Sequence, residues 1–377
     1  MIKKIKNAIF HSLYNRVGFR TNKKIIVFES DDWGSIRMPS LKVYNNLLNK
    51  GLRVDCCHYC RFDSLAVKED MEMLFDLLLS YTDSRGSNPV ITANTIVANP
   101  DFDKIKASDF QHYFYKGLQE TLNEYPDCSF DLWKKGIAQN IFHPQFHGRE
   151  HLNVSRWMHA LQSKSKEAHL AFENRLFGIS QTISNEKRPS FLAALDADCR
   201  QDLMGQKQIL EEGLDLFKKI FNYESDSFIA PNYIWHSSIE DILMNKNIKF
   251  IQGAFFQNEP NLKGSLTKKI HFCGQKNKNK QLFLTRNCFF EPSSLSTKDW
   301  VASCLTDINN AFAVQKPAVI SVHRVNFIGS IDKRNRDNTL FGMHALIQGI
   351  MKHWPDVEFL TSDALGEFIL ASCDHEN

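Results

Sequence analysis

The chain has 377 residues, 43% of them hydrophobic and 24% charged, with 29 Phe; this is ample material for a packed core and excludes a disordered or fibrous chain. The net charge of +3 is unevenly placed: Lys3, Lys4, Lys6, Arg16, Arg20, Lys23 and Lys24 meet no acid in residues 1–24, so the remainder is slightly acidic and lacks the basic field of a nucleic-acid-binding surface. Nine Cys is an odd number, no signal-peptide pattern opens the chain and no apolar run is long enough to span a bilayer, so a reducing, cytoplasmic setting without a disulfide framework is expected.

Residues 1–23 predict a basic amphipathic helix, with Ile2, Ile5, Ile9, Leu13 and Val17 recurring at spacings of three and four and Phe10 beside them. Such a stripe suits either peripheral contact with an anionic membrane through residues 2–20 or packing on the body of the protein. From Lys24 to the end, short β-rich runs alternate with longer helical patterns, the signature of βα units on a parallel sheet. The expected strands are Ile25 to Phe28, Val90 to Val97, Asn140 to Phe146, Ser227 to Ala230, Ile248 to Ile251, Leu282 to Phe289, Ala318 to Val322 and Glu358 to Leu360. Helices are expected over Lys68 to Tyr81, Gln201 to Phe221 and Thr297 to Phe312. Seven or eight such units over residues 24–377 make an α/β barrel or a wide open sheet. Two stretches break the rhythm and read as insertions: a largely helical one near 153–200, and one near 258–280 whose KNKNK run, residues 276–280, suggests an exposed hairpin or loop.

Three strand ends carry chemistry. The first strand runs into FESDDWGS, which puts Asp31 and Asp32 at the functional edge of a parallel sheet. Adjacent carboxylates repel unless a cation or a proton neutralises them, so a buried pair implies a partner charge. FHPQFHGREHLN then places His143, His147 and His151 four residues apart, and neutral imidazole is the commonest transition-metal ligand. If the third strand runs through Phe146, His143 and Gln145 face away from Phe142, Pro144 and Phe146, and a turn at Gly148 brings His147 and His151 within reach of one ion. In AVISVHRVNF, His323 ends an apolar strand, where a titratable ring can serve as a general acid.

In that order the DD pair, the H-x-x-x-H element, an aromatic Pro motif and a late strand ending in His resemble the NodB-homology polysaccharide deacetylases, over most of residues 24–370. The resemblance implies a distorted seven-stranded (β/α) barrel that removes acetyl groups from sugars with a divalent metal. It implies Asp31 as general base, Asp32, His147 and His151 as metal ligands with His143 and His147 as the competing register, and His323 as general acid. KDWVASCL, with Asp299 and Trp300 opening a helix, resembles the family's element that supports the acid. One departure stands out: SFIAPNYIW carries Ile229 where the family has an Arg two residues before the Pro. Tyr233 and Trp235 remain as pocket walls, and Arg149 or Arg286 as sources of the missing charge.

The chemistry implied is a metal-activated water, with Asp31 taking a proton and His323 giving one to the departing group. An Asp/His/His set suits Zn2+, while Fe, Co, Ni and Mn are also compatible. The expected partner is an acylated sugar or lipid-linked glycan, amide or ester, on the cytoplasmic side. Two other readings compete. A glycoside hydrolase would pair Asp31 with Glu291 or Asp196, and a catalytically silent glycan-binding protein would have lost its oriented base. Cys56, Cys57, His58 and Cys60 in VDCCHYC lack the second spaced pair of a structural zinc site and read as reduced thiols.

Overall fold

The computed structural model describes residues 17–180, 183 and 191–374. Residues 1–16, most of the expected amphipathic helix, lie outside the described residues. No described helix is long and apolar enough to cross a membrane.

The centre is a parallel sheet of nine strands: β1 Ile25–Trp33, β2 Ile91–Ile96, β3 Phe142–Gly148, β4 Ser227–Ile229, β5 Phe250–Gly253, β6 Leu282–Thr285, β7 Cys288–Phe289, β8 Ala318–Ser321 and β9 Glu358–Leu360. Hydrogen-bonded neighbours run β6-β5-β4-β3-β2-β1-β8-β7, with β9 paired to β1. β1 shares its partners along its length, Ile26 opposite Phe359 of β9 and Phe28 opposite Ile91 of β2, while β8 pairs with it as Ile26 opposite Ala318. All nine residues of β1 are buried, as expected of a central parallel strand covered on both faces.

The two ends of that order belong to one stretch of chain. Residues 282–289, expected as a single strand, are interrupted at Arg286 and Asn287. There the Arg286 amide donates to Gly253 O (2.9 Å) and the Asn287 amide to Val319 O (3.1 Å). The stretch thus leaves β5 and joins β8, and the sheet closes on itself through the covalent chain. Taking β6 and β7 together, seven segments form the ring, a curled α/β barrel with β9 as an added strand on β1.

The surrounding helices follow their apolar spacing. Lys68–Leu79 buries Met71, Leu74, Phe75 and Leu78, and Arg200–Phe221 buries Leu203, Leu210, Leu214 and Phe217. Trp300–Ala313 begins at Asp299, whose side chain accepts from the Ala302 amide. The insertion after Asn153 contains helices Val154–Gln162 and Lys166–Glu173. In the other insertion Phe256–Pro260 and Leu266–Ile270 form an antiparallel hairpin, and the KNKNK run forms the expected exposed loop, closed by an antiparallel bridge between Lys276 and Leu282. Part of that run is tied to Asp241 through Lys278 and Asn279.

Packing outside the ring is aromatic: Phe142 meets Trp33 and Trp133 edge-on at 4.8 and 5.2 Å between centroids, an arrangement favoured by ring quadrupoles. The interior of the ring is polar instead. Asn94 donates to Asp31 (2.7 Å) and Gln252 (3.0 Å), Gln252 donates to Ser227 (2.7 Å), and Ser227 to Gln145 (2.9 Å). Gln145 in turn contacts His143 (2.8 Å), which reaches Asp363 (3.1 Å). A buried polar filling holds only when its members satisfy one another, and this one runs from the functional edge of the barrel towards its opposite end.

The closing helix Ser362–Asp374 packs so tightly that a Cβ on Gly366 would run into the Phe250 ring. Gly366→Ala is therefore expected to cost about 1–3 kcal/mol through overpacking, read as a lowered urea midpoint with an unchanged slope.

Candidate active site

In a regular strand neighbouring side chains point to opposite faces, so Asp31 and Asp32 would not share a site. The structure breaks that rule locally. The register between β1 and β2 shifts between Ser30 and Trp33, and Asp32 has φ of 74°, a left-handed conformation that Asp tolerates better than most residues. The bulge lets both carboxylates converge at the mouth of the barrel, where they are buried at 4% and 2% exposure. Such strain is stored where surrounding structure enforces it.

Asp32 meets two histidines. Its Oδ1 lies 3.5 Å from His147 Nε2 and 3.3 Å from His151 Nε2, and one ligand atom from each of the three residues falls within 4.8 Å of the others. His147 Nδ1 contacts the Ile229 carbonyl at 2.9 Å, which fixes the tautomer that leaves Nε2 with a free lone pair. Asp32 Oδ1 and His147 Nε2 are buried and have no hydrogen-bond partner. Two lone pairs facing each other in a dry site are costly. The separations match the edge of a tetrahedron with bonds of about 2 Å, about 3.3 Å. The residues present therefore fit a divalent cation. Burial also pushes His151 down to about 3, which keeps it in the neutral form that binds metals.

Asp31 has a different partner. Arg286 donates through Nη2 to Asp31 Oδ1 (2.6 Å), through Nη1 to Oδ2 (2.7 Å) and through Nε to Glu29 (2.6 Å), with its side chain wholly buried. Burial alone would raise Asp31, but the Arg286 guanidinium outweighs it and holds the carboxyl well below its usual range. Glu29, which also accepts from Ser362 (2.8 Å), is raised because its burial prevails over the same guanidinium. Of the two arginines expected as sources of charge, Arg286 is the one that reaches Asp31. Its Nη1 also donates to the Tyr233 hydroxyl (3.0 Å).

On the far side of Asp31 stands His323, its Nε2 3.5 Å from Asp31 Oδ2 and its Nδ1 2.6 Å from Glu291. Burial opposes the imidazolium, yet the Glu291 carboxylate, with Asp31 and Asp32 behind it, raises His323 to about 9. About a fifth of its side chain is exposed, 21%, so it forms the open face of an otherwise buried site. Beneath it, Arg324 grips Asp63 through two bonds (3.1 and 3.0 Å). Arg37 donates to Asp32 Oδ2 (3.1 Å) and lies 3.9 Å from Asp63.

The structure brings together Asp31, Asp32, His147, His151, His323, Arg286 and Tyr233. Five expectations are corrected. His143 is engaged with Gln145 and Asp363 inside the barrel, so the register pairing it with His147 does not form. Arg149 is bound to Glu150 (2.7 Å) and Glu212. Trp235 is buried with its indole donating to Glu240 (3.2 Å). Asp299 caps its helix, and the partner of His323 is Glu291. Asp196 is held by Arg156 (2.8 Å). Glu291, Arg37, Asn94 and Glu29 are site residues that the sequence motifs did not assign to these roles. FFEPS, an acid after an apolar run, was the one available signal for Glu291.

No protein-family model and no curated protein matches this chain. Solved structures similar to it include a 4-alpha-glucanotransferase from Thermococcus litoralis (TM-score 0.43, 9% identity, 90% of this chain and 40% of that one) and a variant of a peptidoglycan deacetylase from Bacillus subtilis (0.35, 10%, 94% and 95%). A CE4 family pseudoenzyme from Bacillus anthracis is also similar (0.37, 8%, 91% and 66%). The chain thus spans 40% of the length of the glucanotransferase. At these values the likenesses carry no weight for family or activity.

Two outcomes are expected from the charge pairing. Replacing Arg286 by Gln leaves Glu29 and Asp31 buried without a counter-charge, a loss of about 3–5 kcal/mol. The deficit shrinks as pH falls from about 8 to about 5, because unpaired buried carboxylates bind protons in the folded state. His323, raised from its ordinary value of about 6.5, contributes stability that is full below about pH 6.5 and is lost as pH rises through about 9. The urea-midpoint gap between metal-free wild type and Glu291→Gln is therefore widest at the acid end of that window and closes at the alkaline end.

Proposed function

We propose that the protein is a metal-dependent hydrolase that removes an acyl group, N- or O-linked acetyl, from a sugar of a surface-polysaccharide precursor. The observation that carries this is the buried Asp32, His147 and His151 group, in which Asp32 Oδ1 and His147 Nε2 have no hydrogen-bond partner, set beside a salt-bridged Asp31 and a raised His323. The sugar is supported by the motif resemblance alone.

Asp32, His147 and His151 would hold the ion, most favourably Zn2+, which when bound lowers the pKa of a water and polarises an acyl carbonyl. The protein's own groups divide the proton traffic. Asp31 is kept ionised by Arg286, so it is in the form that accepts the proton of an attacking water, and Asn94 fixes its orientation from below. His323 is kept protonated by Glu291 at Nδ1, which leaves Nε2–H to be given to the departing amine or hydroxyl. With Arg37 on Asp32 and Arg286 on Asp31, each carboxylate has a separate cation, and neither needs the other's proton.

A glycosidase built on Asp31 and Glu291 is disfavoured by the same contacts. Glu291 accepts from His323 at its ring and amide and from Asn326 (2.6 Å), and Asp31 accepts two Arg286 bonds. A silent binding protein is disfavoured because Arg286 restores the charge whose loss motivated that reading.

Metal content of the purified protein tests the reading first, wild type beside His147→Ala and Asp32→Ala by elemental mass spectrometry. Near-stoichiometric metal in wild type, lost in both variants, is expected; no metal, or metal indifferent to both changes, overturns it. Asp31→Asn and His323→Ala are expected to keep the metal and to lose about 10²–10⁴-fold in acetate release from acetylated oligosaccharides.

A further inference from the structure

The VDCCHYC segment, set aside as reduced thiols, lies against the site. Cys57 precedes the short helix His58–Phe62 and Cys60 sits three residues on, a spacing at which side chains on one turn face each other. Cys57 is the N-cap of that helix, in extended backbone, and Cys60 its third residue, so the two side chains share the first turn; Cys60 Sγ also donates to the Gly178 carbonyl at 3.9 Å. Cys57 keeps 9% of its surface and Cys60 3%. Their neighbours Cys56, His58 and Arg61 line an open groove of about 860 Å³ that runs past Pro292 and Ser293, next to the acid's partner Glu291.

The residues enclosed by the two thiols touch both halves of the candidate machinery. The Tyr59 ring meets the His323 ring edge-on at 5.4 Å. The Arg37 guanidinium, which holds Asp32, sits over Tyr59 at 5.3 Å. A bond between the two sulfurs would fix the turn that carries Tyr59.

We propose that Cys57 and Cys60 form a reversible redox dithiol, oxidised by exchange with a small-molecule disulfide of the glutathione class, whose closure repositions Tyr59 against His323 and Arg37. The exchange is balanced. The Cys57 thiolate attacks one sulfur of the glutathione disulfide, that S–S bond breaks and one glutathione thiolate leaves. Cys60 then loses its proton, attacks the Cys57 sulfur and expels the second glutathione. Two protein thiols and one glutathione disulfide become one protein disulfide and two glutathione thiols, which carry the two protons. Cys57, at the cap and the more exposed of the two, is the attacking thiol, and Cys60, inside the first turn and more deeply buried, the resolving one; in keeping with this, the neighbouring Cys60 lowers Cys57 to about 5 despite its burial, while Cys60 is raised by Cys57 and by burial.

Formation of the bond is independent of the hydrolase reading; its effect on catalysis rests on that reading. The test equilibrates the full-length protein with defined ratios of reduced and oxidised glutathione, blocks free thiols by alkylation and maps residues 54–61 by mass spectrometry. Expected is a joint loss of label at Cys57 and Cys60 as the ratio turns oxidising, with Cys56 still labelled, and mixed glutathione disulfide trapped at Cys57 in Cys60→Ser. Labelling of both thiols at every ratio, or a bridge to Cys56 instead, overturns the proposal; the wild-type measurement stands even if the variant fails to fold. In ¹⁵N-histidine spectra of the same samples, the His323 resonances should move on oxidation in wild type and stay fixed in Cys60→Ser. A bridge that leaves them unmoved overturns the coupling, whether or not the protein proves to be a hydrolase.

Discussion

One guanidinium holds the barrel's interior together. Glu29 and Asp31 lie on the same face of β1, both buried, and neither could remain charged there without a counter-ion. Arg286 meets both from the break between β6 and β7, one strand beyond β8. With that charge in place, Asn94 can donate to Asp31, Gln252 to Ser227 and Ser227 to Gln145, so the polar filling is organised outward from the salt bridge. Without it, the interior would hold a repelling acid pair and a set of amides with no fixed orientation.

Next to this locked centre the structure assembles two sites of opposite character. At the Asp32, His147 and His151 group, Asp32 Oδ1 and His147 Nε2 are left without donors, an arrangement a cation would complete. At His323 the proton is over-determined by Glu291, Asp31 and Asp32. Placing a proton-rich group and a donor-poor group on either side of one ionised carboxylate is what would separate the proposed acid, base and ligand roles among residues that are close together. The Arg37–Asp63–Arg324 cluster beneath joins the donor-poor group through the Arg37 bond to Asp32.

How much of this was legible in the sequence varies with the range of the interaction. Strand ends are written locally, so Asp31, Asp32, His147 and His323 could be placed on the functional edge from apolar runs alone. His151 could be placed by spacing, because the turn at Gly148 is local too. The convergence of Asp31 and Asp32 was not readable, since it depends on a bulge enforced by the register with β2. Nor was the choice of Arg286 over Arg149: both are buried arginines with acids in reach, and only the closure of the ring sends one to Asp31 and the other to Glu150. Asp299 misled because an Asp before a Trp-led helix is a cap by local rules, and a cap is what it is. Glu291 was seen as an acid at a strand end, but its partner lies thirty-odd positions away in the chain and comes close only across β7 and β8.

The break between β6 and β7 joins two properties that are usually separable. Arg286 and Asn287 are the seam at which the barrel shuts, their amides bonded to strands on either side, and Arg286 is also the counter-ion of the proposed base. Any fluctuation that parts the seam withdraws the charge from Asp31 in the same movement. Architectural integrity and the charge state of the proposed site are therefore tied to one residue: an open barrel of this sequence would be left with a mismatched acid pair at its heart.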